Sequence, residues 1–329
     1  MNNSKQNFNI QKYIAILSLV LFFVKLFAWW LTQSVAVLTD ALESIVNVVA
    51  SFVGLYSLHL AAKPKDADHP YGHGKVEFIT AALEGSLIAI AGILVIGEAA
   101  LNLYHPHQLK QLDYGIYLIA FTGLLNYVAG WICVSNGTNK RSLVLVSSGK
   151  HLISDTYTTL GIVIGLILLN VTGLQWIDSA VAIVFAVVII ITGISIVRKS
   201  IAGMMDEADD ELLKNLIQKL NQNRHPNWID LHNLRVIKYG SMIHIDCHLT
   251  VPWYLNVHEA HYEVDRLSGF AKDHFGETVE MFVHTDGCLD FSCAICAVQE
   301  CKHRMQSNIK RINWTMENVV SDKKHGSQI

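Results

Sequence analysis

Glu43 and Asn47 stand four residues apart in one apolar stretch of the sequence, and His151 and Asp155 stand four apart in another. Residues i and i+4 share a helix face, so each stretch offers two oxygen or nitrogen ligands along one stripe. A charged group at bilayer depth costs roughly 2.5–3.5 kcal/mol, and such residues mark ion or proton pathways. Zinc and its neighbours accept imidazole nitrogen and carboxylate oxygen at about 2.0–2.2 Å, commonly in a tetrahedron. Glu43, His151 and Asp155 then supply three strong ligands. Asn47 supplies a weaker amide oxygen, or else a neutral hydrogen bond between helices. Asp40, on the face of Glu43 and Asn47, is a possible auxiliary ligand. The bland alternative is that all these groups only bond one helix to another. That alternative is preferred for Glu84, Asn126 and Asp178, with Glu84 the one to watch.

Three further groups lie outside the apolar stretches. Asp66, His69 and His73 fall within eight residues, and Pro70, Gly72 and Gly74 give their loop a defined turn. Together they can clip a divalent ion; the alternative is a solvated loop. His284 and Asp286 are i, i+2 at the end of a strand and point to one side. His232 precedes an earlier strand, His248 ends the next, and His261 lies on a helix, so the five could converge on metal. Last, Cys288, Cys293, Cys296 and Cys301 place four thiols in fourteen residues around a central CxxC. In a reducing compartment such thiols stay unpaired and suit a zinc or iron–sulfur clip; the alternative is an incidental cysteine-rich tail.

The elements that must position these residues follow from the hydropathy pattern. Hydrophobic residues make up 51% of the 329 and are concentrated in the first 200 or so. Six stretches approach or exceed the ~20 residues needed to cross a bilayer: Tyr13–Leu31, Val35–Leu60, Phe78–Leu103, Leu112–Ser135, Leu143–Val171 and Trp176–Val197. No cleavage site follows a short apolar core at the N-terminus, so the first stretch is expected to remain as a membrane helix. Lys5, Lys12, Lys63, Lys65, Lys75, Lys140, Arg141, Arg198 and Lys199 fall on alternate connections, and only Lys110 on the others. The positive-inside rule puts both termini in the cytoplasm, in the inner membrane of a bacterium. A net charge of −3 and the lack of a basic tract argue against nucleic acid.

The remainder reads as helix Asp209–Asn221, strand Asn233–Tyr239, a hairpin turn at Gly240-Ser241, strand Met242–Val251, helix Val257–Phe275 and strand Thr278–Thr285. Ile243, Ile245, Cys247, Leu249 and Val251 alternate with His244, Asp246, His248 and Thr250, as in a half-buried strand. The αββαβ order suggests a small α+β unit with helices on one face of a three-stranded sheet. The expected divisions are a leading segment 1–12, a six-helix membrane domain 13–202, an α+β domain 206–287 and a cysteine-rich tail 288–329.

Taken together these motifs resemble the cation diffusion facilitator family of divalent-metal/proton antiporters. The resemblance runs from about Lys12 to Cys288. It includes Phe27-Ala-Trp-Trp30, Ser34-Val-Ala-Val-Leu38 with the Glu43/Asn47 stripe, His69-x3-His73-Gly-Lys75, His151-x3-Asp155, Met204-Met-Asp206 and His284-x-Asp286. It implies transport of metal by Glu43, Asn47, His151 and Asp155, and a loop site at Asp66, His69 and His73. It further implies a cytoplasmic binuclear cluster at His232, His248, His261, His284 and Asp286. A homodimer with metallochaperone-like domains and a charge latch between Lys75 and Asp206 are also implied. Family members carry Asp-x3-Asp or His-x3-Asp where this chain has Glu43-x3-Asn47. The cysteine tail lies beyond the resemblance.

The reading is a membrane exporter, with zinc as the foremost cargo and Fe²⁺, Co²⁺, Cd²⁺ or Mn²⁺ open. Metal and protons compete for the same groups, and divalent ions also serve as structural or regulatory ligands. Its rivals are a membrane metal sensor or store using the histidine and cysteine groups, and a membrane metallohydrolase. No nucleophile or general base poised beside the metal supports an enzyme.

Overall fold

The computed structural model describes residues 2–61, 63–105, 109–139, 143–239, 242–276 and 279–326, with the side chains of 2–11, 50, 51, 54, 58, 137–139 and 143–148 excepted. It divides into two compact units, residues 1–59 with 77–201 and residues 60–76 with 202–329. The expected hairpin turn at Gly240-Ser241 lies outside the described residues.

Six long helices dominate the first unit: α1 (Asn2–Thr32), α2 (Val35–Ala61), α3 (Val76–Tyr104), α4 (Leu112–Asn139), α5 (Leu143–Thr172) and α6 (Trp176–Met204). At a rise of 1.5 Å per residue each reaches about 40 Å, longer than the hydrocarbon core of a bilayer. Among the described residues, α1, α3, α4, α5 and α6 each hold a stretch long and apolar enough to cross a membrane. α2 has 27 residues and carries Asp40, Glu43 and Asn47. Its described side chains are interrupted at 50, 51, 54 and 58. α1 and α6 run beyond the expected spans, because hydropathy marks only the lipid-facing part of a helix.

Apolar helices in lipid gain nothing from hiding hydrophobic surface, so they associate through close packing and hydrogen bonds. A Cβ on Gly149 of α5 would lie 2.7 Å from the Gly130 carbonyl oxygen of α4. The same close approach joins α3 to α6, where a Cβ on Gly85 would lie 2.8 Å from the Gly193 oxygen. Asp178 supplies the polar counterpart. Reaching from the first turn of α6, it accepts from Ser34 Oγ at 2.5 Å, the Val35 N–H at 2.7 Å and the Ala36 N–H at 3.3 Å. It thereby caps the start of α2, satisfying amides that have no partner within the helix. The expectation that Asp178 bonds between helices is met.

The second unit holds α7 (Asp210–Gln222), β1 (Asp230–Tyr239), β2 (Met242–Val251), α8 (Val257–Phe275) and β3 (Val279–Gly287). Asp209 caps α7 by accepting from the Leu212 N–H at 2.9 Å. Leu213, Leu216, Ile217 and Leu220 then bury one helical stripe. α8 starts with a reciprocal capping box between Asn256 and Glu259. The sheet order is β1-β2-β3, with β1 and β2 antiparallel and β2 and β3 parallel. Leu231, Leu234, Val236, Ile245, Cys247 and Leu249 pack against the α7 stripe and Leu267 of α8.

Two features differ from expectation. β1 begins at Asp230, three residues before the anticipated Asn233, because a bulge between His232 and Arg235 hides the continuation. The residues after β3 also do not stand apart from the domain. Trp314 and Val319 lie in the same hydrophobic core, and the Asn233 N–H donates to the Ser321 carbonyl at 2.7 Å. Arg224 clamps the returning segment. Its guanidinium lies 3.9 Å from the Trp314 ring centre and donates to the Ile312 carbonyl at 2.6 Å.

Candidate metal centres

In the helical unit, α5 brings Asp155 into the interior and α2 meets it. Asp155 is 6% exposed; its Oδ2 accepts from Asn47 Nδ2 at 2.9 Å and lies 3.9 Å from His151 Nε2. The Asn47 amide acts here as a donor across the helix interface. Glu43 lies within electrostatic reach of Asp155, although Glu43, His151 and Asp155 do not close to within 4.8 Å of one another. Glu84 on α3 lies within electrostatic reach of His151.

Asp40 takes a different role from the auxiliary ligand anticipated. Its Oδ1 receives Lys25 Nζ from α1 at 2.8 Å and Thr159 Oγ1 from α5 at 3.2 Å. Lys25 and Asp40 are 2% and 1% exposed, a buried ion pair. Hydropathy reading passed over Lys25 within an apolar span, although a lone lysine there is itself a functional signal.

The second unit holds two groups whose candidate ligand atoms lie within 4.8 Å of one another. The first is Asp66, His69 and His73. The Asp66 carboxylate accepts the His69 N–H at 2.7 Å and lies 3.1 Å from His69 Nδ1 and 3.4 Å from His73 Nε2. That backbone N–H holds the Asp66 carboxyl below its ordinary range. Gly72, at φ +88°, lets its N–H close the turn on the His69 carbonyl at 2.9 Å. The loop lies against the sheet: Tyr71 stacks on Tyr239, and Lys65 pairs with Glu280 at 2.8 Å. Lys75 Nζ sits 3.0 Å from Asp206 and 4.7 Å above the Tyr239 ring.

The second group is His232, His248 and Asp286. The β1 bulge creates it. Asn233 adopts φ 51°, and the extra residue shifts the phase of the strand. Leu231 before the bulge and Leu234 and Val236 after it all reach the core, while His232 turns to the face of His248. The register then pairs His232 with His248 and His248 with His284, one row across three strands. Asp286 Oδ2 lies 3.5 Å from His232 Nε2 and 3.4 Å from His248 Nδ1. Asp286 Oδ2, which faces both imidazoles, is buried without a hydrogen-bond partner among the described residues, as befits an atom suited to an ion; His232 Nδ1 faces Asp230 Oδ2 at 3.6 Å instead. Burial lowers the His232 pKa, favouring the neutral imidazole that binds metal.

Three of the five expected ligands therefore converge. His284 adjoins them, with its ring centre 4.6 Å from that of His248 and its Nε2 3.8 Å from Asp286. His261 does not join the group; it is exposed on α8, 3.6 Å from Asp265 one helical turn away. The tail supplies two residues that sequence reasoning missed. Lys324 Nζ lies 3.0 Å from Asp286 Oδ1, and His325 Nδ1 lies 2.5 Å from Asp230 Oδ1.

The chain matches the family model for the cation efflux transmembrane domain over residues 12–205, and that for the cation efflux protein cytoplasmic domain over 208–288. It is 32% identical over 238 residues to an uncharacterised transporter of Synechocystis sp., covering 72% of this chain and 77% of the relative. It is 26% identical over 283 residues to the manganese efflux system protein MneP of Bacillus subtilis, covering 82% and 93%. A cadmium, cobalt and zinc/H(+)-K(+) antiporter of Bacillus velezensis is 24% identical over 234 residues, covering 70% and 74%. The chain belongs to the cation efflux family, the cation diffusion facilitators that its sequence resembles, and is an integral membrane transporter of divalent metal cations rather than an enzyme.

Proposed function

We propose that this protein exports a divalent transition metal of the zinc class from a bacterial cytoplasm in exchange for protons, as a homodimer with both termini inside. One observation carries the reading: a buried carboxylate, Asp155, meets His151 on its own helix and Asn47 from α2. Glu43, His151 and Asp155 are the ligands. Asn47 swings its amide oxygen toward the ion or yields its place to water. With both carboxylates ionised and the imidazole neutral the site carries −2, so a divalent ion makes it neutral and easier to desolvate.

Metal enters only as these groups lose protons, and protons entering from the opposite side displace it. Alternating access of the bundle would separate the two events. The relatives' names span manganese on one side and cadmium, cobalt and zinc on the other. The mixed nitrogen and oxygen ligation here favours the zinc class over manganese. His232, His248, His284 and Asp286 would report cytoplasmic metal through the dimer arrangement, the Asp66 loop would hold a further ion, and Lys75 with Asp206 would latch the dimer. Substituting His284 and Asp286 without changing the metal dependence of transport would exclude that regulation.

The deciding experiment is flux in proteoliposomes under an imposed pH gradient, comparing Zn²⁺, Fe²⁺, Mn²⁺, Co²⁺ and Cd²⁺. Gradient-dependent metal flux with counter-moving protons, abolished by Asp155→Ala, is expected. Metal flux indifferent to the gradient would overturn the exchange.

A further inference from the structure

The segment after β3 builds a pocket that the transport reading does not use. Cys288 follows β3 directly, Cys293 lies in a short helical turn at Asp290–Ala294, and Cys296 and Cys301 lie in the loop beyond. All four are free thiols and line one cavity with Trp253 and Arg304. Cys288 lies within electrostatic reach of the other three, and Cys296 of Cys293 and Cys301. The cavity leaves about 20 Å³ of free space, room for roughly one water-sized occupant. A single ion fits that space.

The surroundings are those of a thiolate centre. The Trp253 N–H points at Cys288 Sγ at 3.4 Å, and the Val298 N–H bonds Cys296. Arg304 donates to the Cys293 carbonyl at 3.2 Å and the Cys296 carbonyl at 3.5 Å, and also to the Val298 carbonyl. Asn308 donates to the Cys296 carbonyl at 2.5 Å. These bonds fix the CxxC loop. The arginine and the amides also offset the charge of −2 that four thiolates around a divalent ion would carry. His303 is not needed as a ligand, because its ring packs against Trp253 and Tyr254 at centroid distances of 4.9 and 5.1 Å. No three of the four sulfurs lie within 4.8 Å of one another. A tetrahedron with Zn–S of about 2.3 Å has edges of about 3.8 Å, so the sulfurs must draw together on binding; Cys288, Cys293 and Cys301 are the three that are only partly buried.

We propose that Cys288, Cys293, Cys296 and Cys301 form a resident site for one thiophilic divalent ion, zinc foremost, distinct from the transported cargo. Each thiol surrenders its proton as the ion binds. The ion ties the end of β3 to the segment that carries Lys324 and His325 back to the sheet.

The test uses the full-length protein in detergent, purified with a non-chelating reductant. Titration with an organomercurial should release one zinc per chain as the four thiols react, read with a zinc-sensitive dye. Cobalt substitution should give a near-ultraviolet thiolate-to-metal charge-transfer band. That band should disappear in C293S/C296S and persist in C133S/C247S. The histidine and carboxylate sites contain no sulfur, so the band reports this centre alone, whether or not the protein transports metal. Thiols that react without releasing metal, together with no band in the cobalt form, would overturn the site. Visible iron–sulfur absorption with acid-labile sulfide would overturn the single-ion assignment. The mercurial titration needs no variant, so a folding defect in C293S/C296S cannot decide the matter.

Discussion

Lys324 Nζ lies 3.0 Å from Asp286 Oδ1, so a cation from the C-terminal segment leans on the carboxylate that also faces His232 and His248. A divalent ion arriving there must displace this ammonium or bind beside it. Lys324→Ala should therefore raise metal affinity at the cluster by about 1 kcal/mol, roughly fivefold. Isothermal titration of the full chain checks it, using an Asp155→Ala background that removes the intramembrane site. Unchanged or weakened binding would show that Lys324 is a bystander.

Lys25 and Asp40 form a buried pair inside the helical unit. Removing one partner strands the other, at a cost of about 3–5 kcal/mol, while replacing both with apolar residues is far milder. Lys25→Met alone should lower the thermal stability of the detergent-solubilised protein sharply. Lys25→Met/Asp40→Leu should recover most of the loss. A double variant whose loss equals the sum of the Lys25→Met and Asp40→Leu losses would show that the two residues act independently.

Asn47 donates to Asp155 at 2.9 Å. Asn47→Asp replaces that donor with a second carboxylate, and two carboxylates this close cannot both ionise without a cation between them. Metal binding should tighten, and binding should release more protons per metal than in the unaltered chain. Calorimetry in buffers of different ionisation enthalpy measures the proton count. An unchanged count would exclude Asn47 from the site.

Asp178 satisfies Ser34, Val35 and Ala36 at the start of α2. Asp178→Ala leaves a hydroxyl and two amides buried, each costing about 1–3 kcal/mol if no water reaches it. The expected result is loss of folded protein or a strongly lowered melting temperature, with Asp178→Asn intermediate. Wild-type stability in Asp178→Ala would remove the cap from the account.

Asp209 caps α7, and its pKa is lowered by Lys238 and then by the Leu212 amide. A carboxyl with a depressed folded pKa stabilises fully above its unfolded value and loses the contribution as pH falls through the folded one. The cap should thus hold above the ordinary 3.8 and fail only in more acidic solution. Asp209→Ala should increase hydrogen exchange at the start of α7 at neutral pH, by about 1 kcal/mol of opening energy. Protection that is the same in both chains would refute the cap.

Much of this architecture was legible in the sequence. The places of the six long helices followed from hydropathy, although α1 and α6 run on past the expected spans, and the alternation Ile243 to Val251 marked out β2. The convergence of Asp66, His69 and His73 was readable because they are neighbours in a turn-forming loop. The first residues of β1 were not readable, because the bulge at Asn233 breaks the period of two on which strand reading depends. Lys25 was hidden by apolar neighbours, and its partner Asp40 was read instead as a helper to Glu43. Lys324 and His325 could not have been anticipated, since nothing in local spacing says that a segment ninety residues on returns to Asp230. A still longer separation, 143 residues, hid which helix start Asp178 would cap.

The bulge at Asn233 separates what folds the domain from what displays its ligands. Arg235 and Val236 hold their register with β2 from the Tyr239–Met242 end, whatever happens upstream. Straightening the bulge with every residue kept would leave this half of the strand seated and turn the other half over, whereas deleting Asn233 would close the ladder and keep His232 opposite His248. In the straightened strand His232 would face the hydrophobic core, Leu231 would face away from it, and the row of three imidazoles would lose its first member. Ligand display in this sheet is thus a matter of parity in one strand, carried by a residue that need not bind metal itself.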